Sequence, residues 1–170
     1  MLLSELIESL PQAALVGPAG REVSGLTDDS RAVKDGFVVV AVRGEGVDGH
    51  EFIKEAVVSG AVAVVAETPA PANLSGNVSW VMVPSTRTAL SILADFWNGS
   101  PSLDLRVVGV TGTNGKTTTA FLLHGIMQRV LHRVGLLGTI QFHDGLKQSK
   151  ATHTTPGAVE LLGFVGKMVV

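Results

Sequence analysis

At 170 residues, the chain is long enough for one ordinary domain or two small ones. Its 45% hydrophobic and 16% charged content excludes an intrinsically disordered chain, and 13 Lys+Arg against 15 Asp+Glu leave a net charge of -2, without the basic excess that gripping a nucleic-acid backbone requires. Cysteine is absent, which excludes disulfides, thiolate nucleophiles and zinc-cysteine sites and fits a reducing compartment.

The first residues carry Glu5 and Glu8 where a signal peptide needs basic residues and a long apolar stretch. The longest apolar runs, 37–42 and 61–66, fall far short of the about 18 residues of a membrane span. The expectation is a cytoplasmic protein with no membrane span and no nucleic-acid partner.

Along the chain, Leu2, Leu3, Leu6, Ile7 and Leu10 recur at helical spacing and Pro11 closes a short opening helix. The β-branched runs 37–42 and 61–66 read as buried strands, separated by a helix over 49–59 with Phe52, Ile53, Ala56 and Val57 on one face. A strand over 80–84 precedes a helix over 86–97 that aligns Leu90, Leu93, Ala94 and Trp97. Asn98-Gly99-Ser100-Pro101 then puts four turn formers in a row, and this divides the chain into domains 1–98 and 99–170.

The second part resumes with a strand over 105–110, a Gly/Thr loop, and a helix from Lys116 to about Leu131 that buries Leu123, Met127, Val130 and Leu131. Residues 134–140 read as the next strand of a parallel sheet. After Thr155-Pro156 the chain starts a helix but reaches Val170 with no helix stop, so the second domain reads as halting before it is complete. The fold class is α/β.

The informative stretch is Gly109-Val110-Thr111-Gly112-Thr113-Asn114-Gly115-Lys116-Thr117-Thr118-Thr119, set between a predicted strand and a predicted helix. Gly112 and Gly115 allow a tight loop whose N–H groups, together with the helix N-terminus, point at one anion. Lys116 adds a positive charge for the β- and γ-phosphates, and the Thr117 hydroxyl is placed to meet Mg²⁺. ATP is the expected ligand, bound through Gly112, Thr113, Asn114, Gly115, Lys116, Thr117 and Thr118. The general spacing Gly-x-x-x-x-Gly-Lys-Thr needs glycine at position 110, where the chain has Val110.

This Gly-Thr-Asn-Gly-Lys-Thr form resembles the nucleotide loop of the Mur ligases, the ATP-dependent amide-forming enzymes of peptidoglycan synthesis, which accounts for Val110. Thr27-Asp28-Asp29-Ser30-Arg31, Asp35-Gly36-Phe37 and Asp48-Gly49-His50, with Thr154-Thr155-Pro156 further on, are similar to the family member that adds the third residue of the stem peptide. The resemblance runs to about Leu162. It implies a small N-terminal α/β domain that binds UDP-N-acetylmuramoyl-L-alanyl-D-glutamate, followed by the start of a P-loop parallel-sheet ATPase domain. The implied reaction makes an acyl phosphate on the D-glutamyl carboxylate, which a diamino acid amine attacks, with Lys116 stabilising the transferring phosphoryl group.

For substrate contacts the resemblance implies Ser30, the backbone of Gly46 and Val47, and Thr154 with Thr155. A Glu45 carboxylate facing a diphosphate would be repulsive, which is why backbone groups of Gly46 and Val47 are expected to make any contact there. Asp28-Asp29-Ser30 also has the composition of a plain turn or helix N-cap, with Asp29 and Arg31 bracing the loop by an ion pair. Thr155 before Pro156 likewise fits an N-cap, and His153 has no assigned role. His50 reads as a structural hydrogen-bonder, and His124, His132 and His143 are too dispersed for a metal site.

Two other readings stay open: a non-catalytic product that keeps only its binding surfaces, and a P-loop kinase or ATPase with another acceptor. The family's diamino-acid-binding domain has no counterpart in these residues, so the sequence leaves the diamino acid unspecified and predicts no ligase turnover by the 170-residue chain.

Overall fold

Val38, Val39 and Val40 are all buried, as a strand covered on both faces requires. They belong to β3 (Phe37–Val40), which pairs in parallel with β2 (Gly25–Thr27) on one side and β4 (Ala63–Ala66) on the other. β4 pairs in parallel with β5 (Ser79–Met82), and β1 (Ala14–Val16) closes the edge antiparallel to β5, giving the order β1-β5-β4-β3-β2. The computed structural model that carries this sheet describes residues 1–44, 46–74, 76–131, 133–151 and 156–169. The chain divides into two compact units, Met1–Trp97 and Asn98–Val170.

In the first unit, alternation sorts the strand side chains between two layers. Val39, Val64, Ala66 and Trp80 share a core with Ala56, Ile53 and Val57 of α2 (Ile53–Val58). Val38, Val40 and Val65 take the other face, where α3 (Thr86–Trp97) contacts β2, β3 and β4 and buries Ala89, Leu90, Leu93 and Ala94. α1 (Leu3–Glu8) packs on α3 through Leu3 and Leu6. The predicted helix over 86–97 matches α3, while the predicted strands are trimmed at their ends. The helix predicted over 49–59 splits into a 3-10 turn (Gly49–Phe52) and α2. β1 and β2 have no counterpart in the sequence reading.

The second unit departs from expectation in three places. Residues 105–110 form no strand, and Val107 and Val108 are exposed, because among the described residues no backbone lies alongside to complete a ladder. The chain after α4 (Lys116–Met127) does not extend a parallel sheet. Instead β6 (Gly135–Leu137), β7 (Gln141–Asp144) and β8 (Gln148–Lys150) form an antiparallel three-stranded sheet, joined by short turns that only antiparallel neighbours can use. The helix face expected to bury Leu123, Val130 and Leu131 leaves them exposed, and α4 turns His124 inward toward β6.

His124 donates from Nε2 to the Val134 carbonyl at 3.0 Å and its ring centroid lies 5.0 Å from that of His143. The fold thus brings together two of the histidines that read as dispersed in the sequence, whereas His132 lies outside the described residues. α5 (Ala158–Val169) continues as a helix through the stretch that lacks a stop signal, with the Phe164 ring tilted at 58° against Phe142, centroids 5.4 Å apart. Among the described residues no helix is long and apolar enough to cross a membrane.

Candidate functional site

In a parallel sheet the loops leaving the carboxyl ends of neighbouring strands open a crevice where ligands settle. Here the chain leaves β2 into 28–31 and β3 into 41–49, and the two segments wall a groove of about 630 Å³ lined also by Val39 and Val40, by Phe52 at the end of the 3-10 turn and by Ile53 and Glu55 from the start of α2. Ser30 and Val47 both line it, as do Arg31 and Gly44. Gly46 is exposed in the turn and is not part of the wall. Glu45 lies outside the described residues.

The 28–31 segment is built by local hydrogen bonds. Thr27 Oγ1 accepts the Asp29 N–H at 3.1 Å, and Asp29 caps the 3-10 turn (Ser30–Ala32) by accepting the Arg31 N–H at 3.0 Å. Arg31 returns its guanidinium to the same carboxylate, Nε to Oδ1 at 2.9 Å and Nη2 to Oδ2 at 2.8 Å. The guanidinium, then the Arg31 N–H, hold the Asp29 carboxyl below the usual range. The ion-pair alternative is therefore what these two residues form, and the turn-and-cap alternative holds as well. Ser30, between them, makes no side-chain hydrogen bond among the described residues and is half-buried on the groove.

The 41–49 segment folds back on itself. Arg43 and Asp48 bridge antiparallel, Gly44 N–H donates to the Val47 carbonyl at 2.9 Å and Gly49 N–H to the Val42 carbonyl at 3.0 Å. Gly49 is required by this approach, since a Cβ there would lie 2.6 Å from the Val42 carbonyl oxygen. His50 acts structurally: its Nε2 accepts the Glu67 N–H at 3.2 Å, which leaves the proton on Nδ1 to donate to Asp48 Oδ1 at 2.7 Å. Glu67 Oε1 in turn accepts the Thr86 N–H at 3.0 Å and the Thr86 hydroxyl at 3.1 Å. The Thr86 N–H is the main cause that keeps the Glu67 carboxyl low, as the His50 N–H is for Asp48. Glu67, Arg43 and Thr86 went unread in the sequence because their partners are distant in it.

The phosphate-loop residues belong to the second unit. Gly112 (φ 146°) and Gly115 (φ 77°) take positive φ, which L side chains avoid, and Gly115 caps the N-terminus of α4. Gly112, Thr113, Asn114, Gly115, Lys116 and Thr118 are exposed and Thr117 is half-buried. Lys116 is the first residue of α4, and its Nζ donates to the carbonyls of Gly112 and Thr113. The lysine is thereby folded over the loop's own carbonyls at the positive end of a 12-residue helix. No Cβ-filling atom lies within 4 Å of Gly115, so the cradle is open. Thr154, Thr155 and His153 lie outside the described residues.

Comparison with known proteins adds sequence and fold likeness. Residues 22–98 match the model described as "Mur ligase family, catalytic domain" and residues 110–170 the one described as "Mur ligase middle domain". A UDP-N-acetylmuramoyl-L-alanyl-D-glutamate--2,6-diaminopimelate ligase of Parabacteroides distasonis is 41% identical over 99% of this chain and 35% of its own length, and the enzyme of the same name from Geobacter sulfurreducens is 42% identical over 99% and 33%. The chain thus spans about a third of the length of these curated relatives. A solved structure of a UDP-N-acetylmuramoyl-L-alanyl-D-glutamate--2,6-diaminopimelate ligase shares the fold at TM-score 0.71 with 22% identity, covering 99% of this chain and 33% of the other. The MurF ligase of Thermotoga maritima in complex with ADP matches at TM-score 0.52 with 29% identity, over 84% and 29%.

Proposed function

Because the chain belongs to the Mur ligase family, we propose that its first unit holds the uridine diphosphate end of UDP-N-acetylmuramoyl-L-alanyl-D-glutamate and its second holds ATP, as parts of a ligase that adds a diamino acid in peptidoglycan synthesis. The observation that carries this reading is that about 40% identity to ligases named for that substrate extends across both units, over 99% of the chain. The same names point to 2,6-diaminopimelate as the diamino acid.

The chemistry of the groove supports the substrate. Its buried base is apolar, formed by Val39 and Val40, and among its polar lining residues Ser30 offers a neutral donor and acceptor suited to a uracil or ribose edge. Asp29 is paired with Arg31, while the carboxylates of Asp28 and Glu55 also line the groove. Val47 and Gly44 supply backbone to the facing wall, and Thr154 with Thr155 are assigned to the muramoyl-dipeptide.

The loop at the start of α4 supports ATP. Gly112 to Thr118 offer backbone N–H groups and the helix N-terminus to the phosphates. Lys116 exchanges its two carbonyl partners for β- and γ-phosphate oxygens and balances charge as the γ-phosphoryl leaves ADP for the D-glutamyl carboxylate. The acyl phosphate so formed loses inorganic phosphate when the diamino acid amine attacks its carbonyl carbon. The Thr117 hydroxyl would hold Mg²⁺, which when bound would neutralise phosphate charge.

Calorimetric titration of the 170-residue protein tests the reading. The expected result is binding of UDP-N-acetylmuramoyl-L-alanyl-D-glutamate and of ATP·Mg²⁺. ATP binding with no heat from the nucleotide sugar would contradict it and favour an ATPase with another acceptor.

A further inference from the structure

Arg43, Asp48, His50 and Glu67 of the first unit close into a ring, completed through the Glu67 backbone N–H, that touches the groove only through its loop. Asp48 accepts the His50 Nδ1–H at 2.7 Å and faces Arg43 Nε at 3.3 Å from its other oxygen. His50 Nε2 accepts the Glu67 N–H, and Glu67 Oε2 faces Arg43 Nη1 at 3.6 Å. Arg43 and Asp48 are the two ends of the turn that carries Gly44 and Val47, whereas Glu67 follows β4 and is anchored to the first residue of α3. The His50–Glu67 bond ties the turn to the chain just after β4 across 17 residues and ends on a backbone N–H. A second tie runs from Arg87 Nη2 to the Arg43 carbonyl at 3.0 Å.

We propose that His50 is a positioning residue for the nucleotide-sugar groove: through the Glu67 N–H it holds the 43–48 turn in the conformation that presents Gly44 and Val47 to the ligand. His50 itself is outside the groove wall, so its effect on binding passes through the turn. The proposal rests on the nucleotide-sugar reading for its ligand but not for its geometry. The two hydrogen bonds of the ring nitrogens are separable by substitution. Glutamine reaches as far as Nε2 and offers a carbonyl oxygen to the Glu67 N–H, whereas asparagine reaches only as far as Nδ1 and preserves the local bond to Asp48.

His50→Gln and His50→Asn are compared with the native chain by calorimetry with UDP-N-acetylmuramoyl-L-alanyl-D-glutamate and with ATP, and by amide hydrogen exchange at Gly44, Gly49 and Val65. The expected result is that His50→Asn weakens the nucleotide sugar about fivefold to tenfold, the loss of one hydrogen bond, and speeds exchange at Gly44 and Gly49 while Val65 and ATP affinity stay native. His50→Gln stays within about twofold of native in all of these. Equal behaviour of the two variants, or faster exchange at Gly44 with native nucleotide-sugar affinity, overturns the proposal. If the native chain itself fails to bind the nucleotide sugar, the ligand reading falls and exchange alone decides: acceleration at Gly44 in His50→Asn but not His50→Gln upholds the positioning of the turn, and equal exchange rejects it.

Discussion

Arg31 grips Asp29 at two points, Nε on Oδ1 at 2.9 Å and Nη2 on Oδ2 at 2.8 Å, across the single residue that separates them. That residue is Ser30, and the pair consumes the charge on both of its neighbours while its own hydroxyl stays available on the groove. The arginine side chain is 83% exposed, so the pair contributes little to stability and its effect is to fix the shape of the turn. A neutral hydroxyl braced between compensated charges is suited to a sugar or base edge, where a desolvated charge is costly.

Ser30→Ala should therefore weaken UDP-N-acetylmuramoyl-L-alanyl-D-glutamate by about 1 kcal/mol, one neutral hydrogen bond, with no change in thermal midpoint. Titration calorimetry paired with thermal denaturation reads both quantities, and native affinity in the variant would remove Ser30 from the site.

Lys116→Ala should leave the fold intact, since the side chain is exposed and bonds only to the carbonyls of its own loop. It should lower ATP affinity by about 1.5–3 kcal/mol, the range for a hydrogen bond to a charged group. Nucleotide titration by calorimetry or fluorescence is the check, and ATP affinity equal to that of the native protein would contradict the assignment.

Gly49→Ala should destabilise the first unit by about 1–3 kcal/mol, as overpacking does, because the new methyl would meet the Val42 carbonyl oxygen at 2.6 Å and its nitrogen at 2.9 Å. Both are backbone atoms that cannot rotate away. A urea unfolding midpoint unchanged from native would show that the 41–49 segment is looser than this geometry requires.

Asp29, Asp48 and Glu67 all have carboxyl groups held below their ordinary values by the hydrogen bonds they accept. Their contribution to stability is present above the unfolded carboxylate range near pH ~4 and is lost as pH falls through the lower folded values. Glu67→Gln, which keeps an acceptor for the Thr86 N–H but not the charge, should be less stable than native at pH 7, and this deficit should shrink as pH falls from ~5 toward ~2. Thermal midpoints across that interval decide it, and a deficit that grows toward acid has the wrong sign for this account.

How far the sequence could be read depended on the range of the interactions involved. α3 was legible to its ends because its apolar face repeats at 3.6 residues and turn formers follow it. The caps at Asp29 and Asp48 were within reach because each bonds an N–H two residues on. β1 and β2 have three residues each, too few to establish an alternation, and exist through pairing with β5 and β3. The second unit misled the pattern: Val107 and Val108 have the composition of a strand but no paired backbone among the described residues, and His124 is buried where leucines of the same helix are exposed. The link from His50 to Glu67 spans 17 residues and carries no local signal at all.

The central claim is that one chain holds two different nucleotides in two separately built sites, the nucleotide sugar on the Ser30–Val47 groove and ATP on the Gly112–Thr118 loop. The most direct measurement is calorimetric titration of the native chain, Ser30→Ala and Lys116→Ala with each ligand in turn. The account predicts a crossed pattern, in which Ser30→Ala loses affinity for UDP-N-acetylmuramoyl-L-alanyl-D-glutamate alone and Lys116→Ala loses affinity for ATP alone. Equal losses of both ligands in either variant, or failure of the native chain to bind the nucleotide sugar, would contradict it.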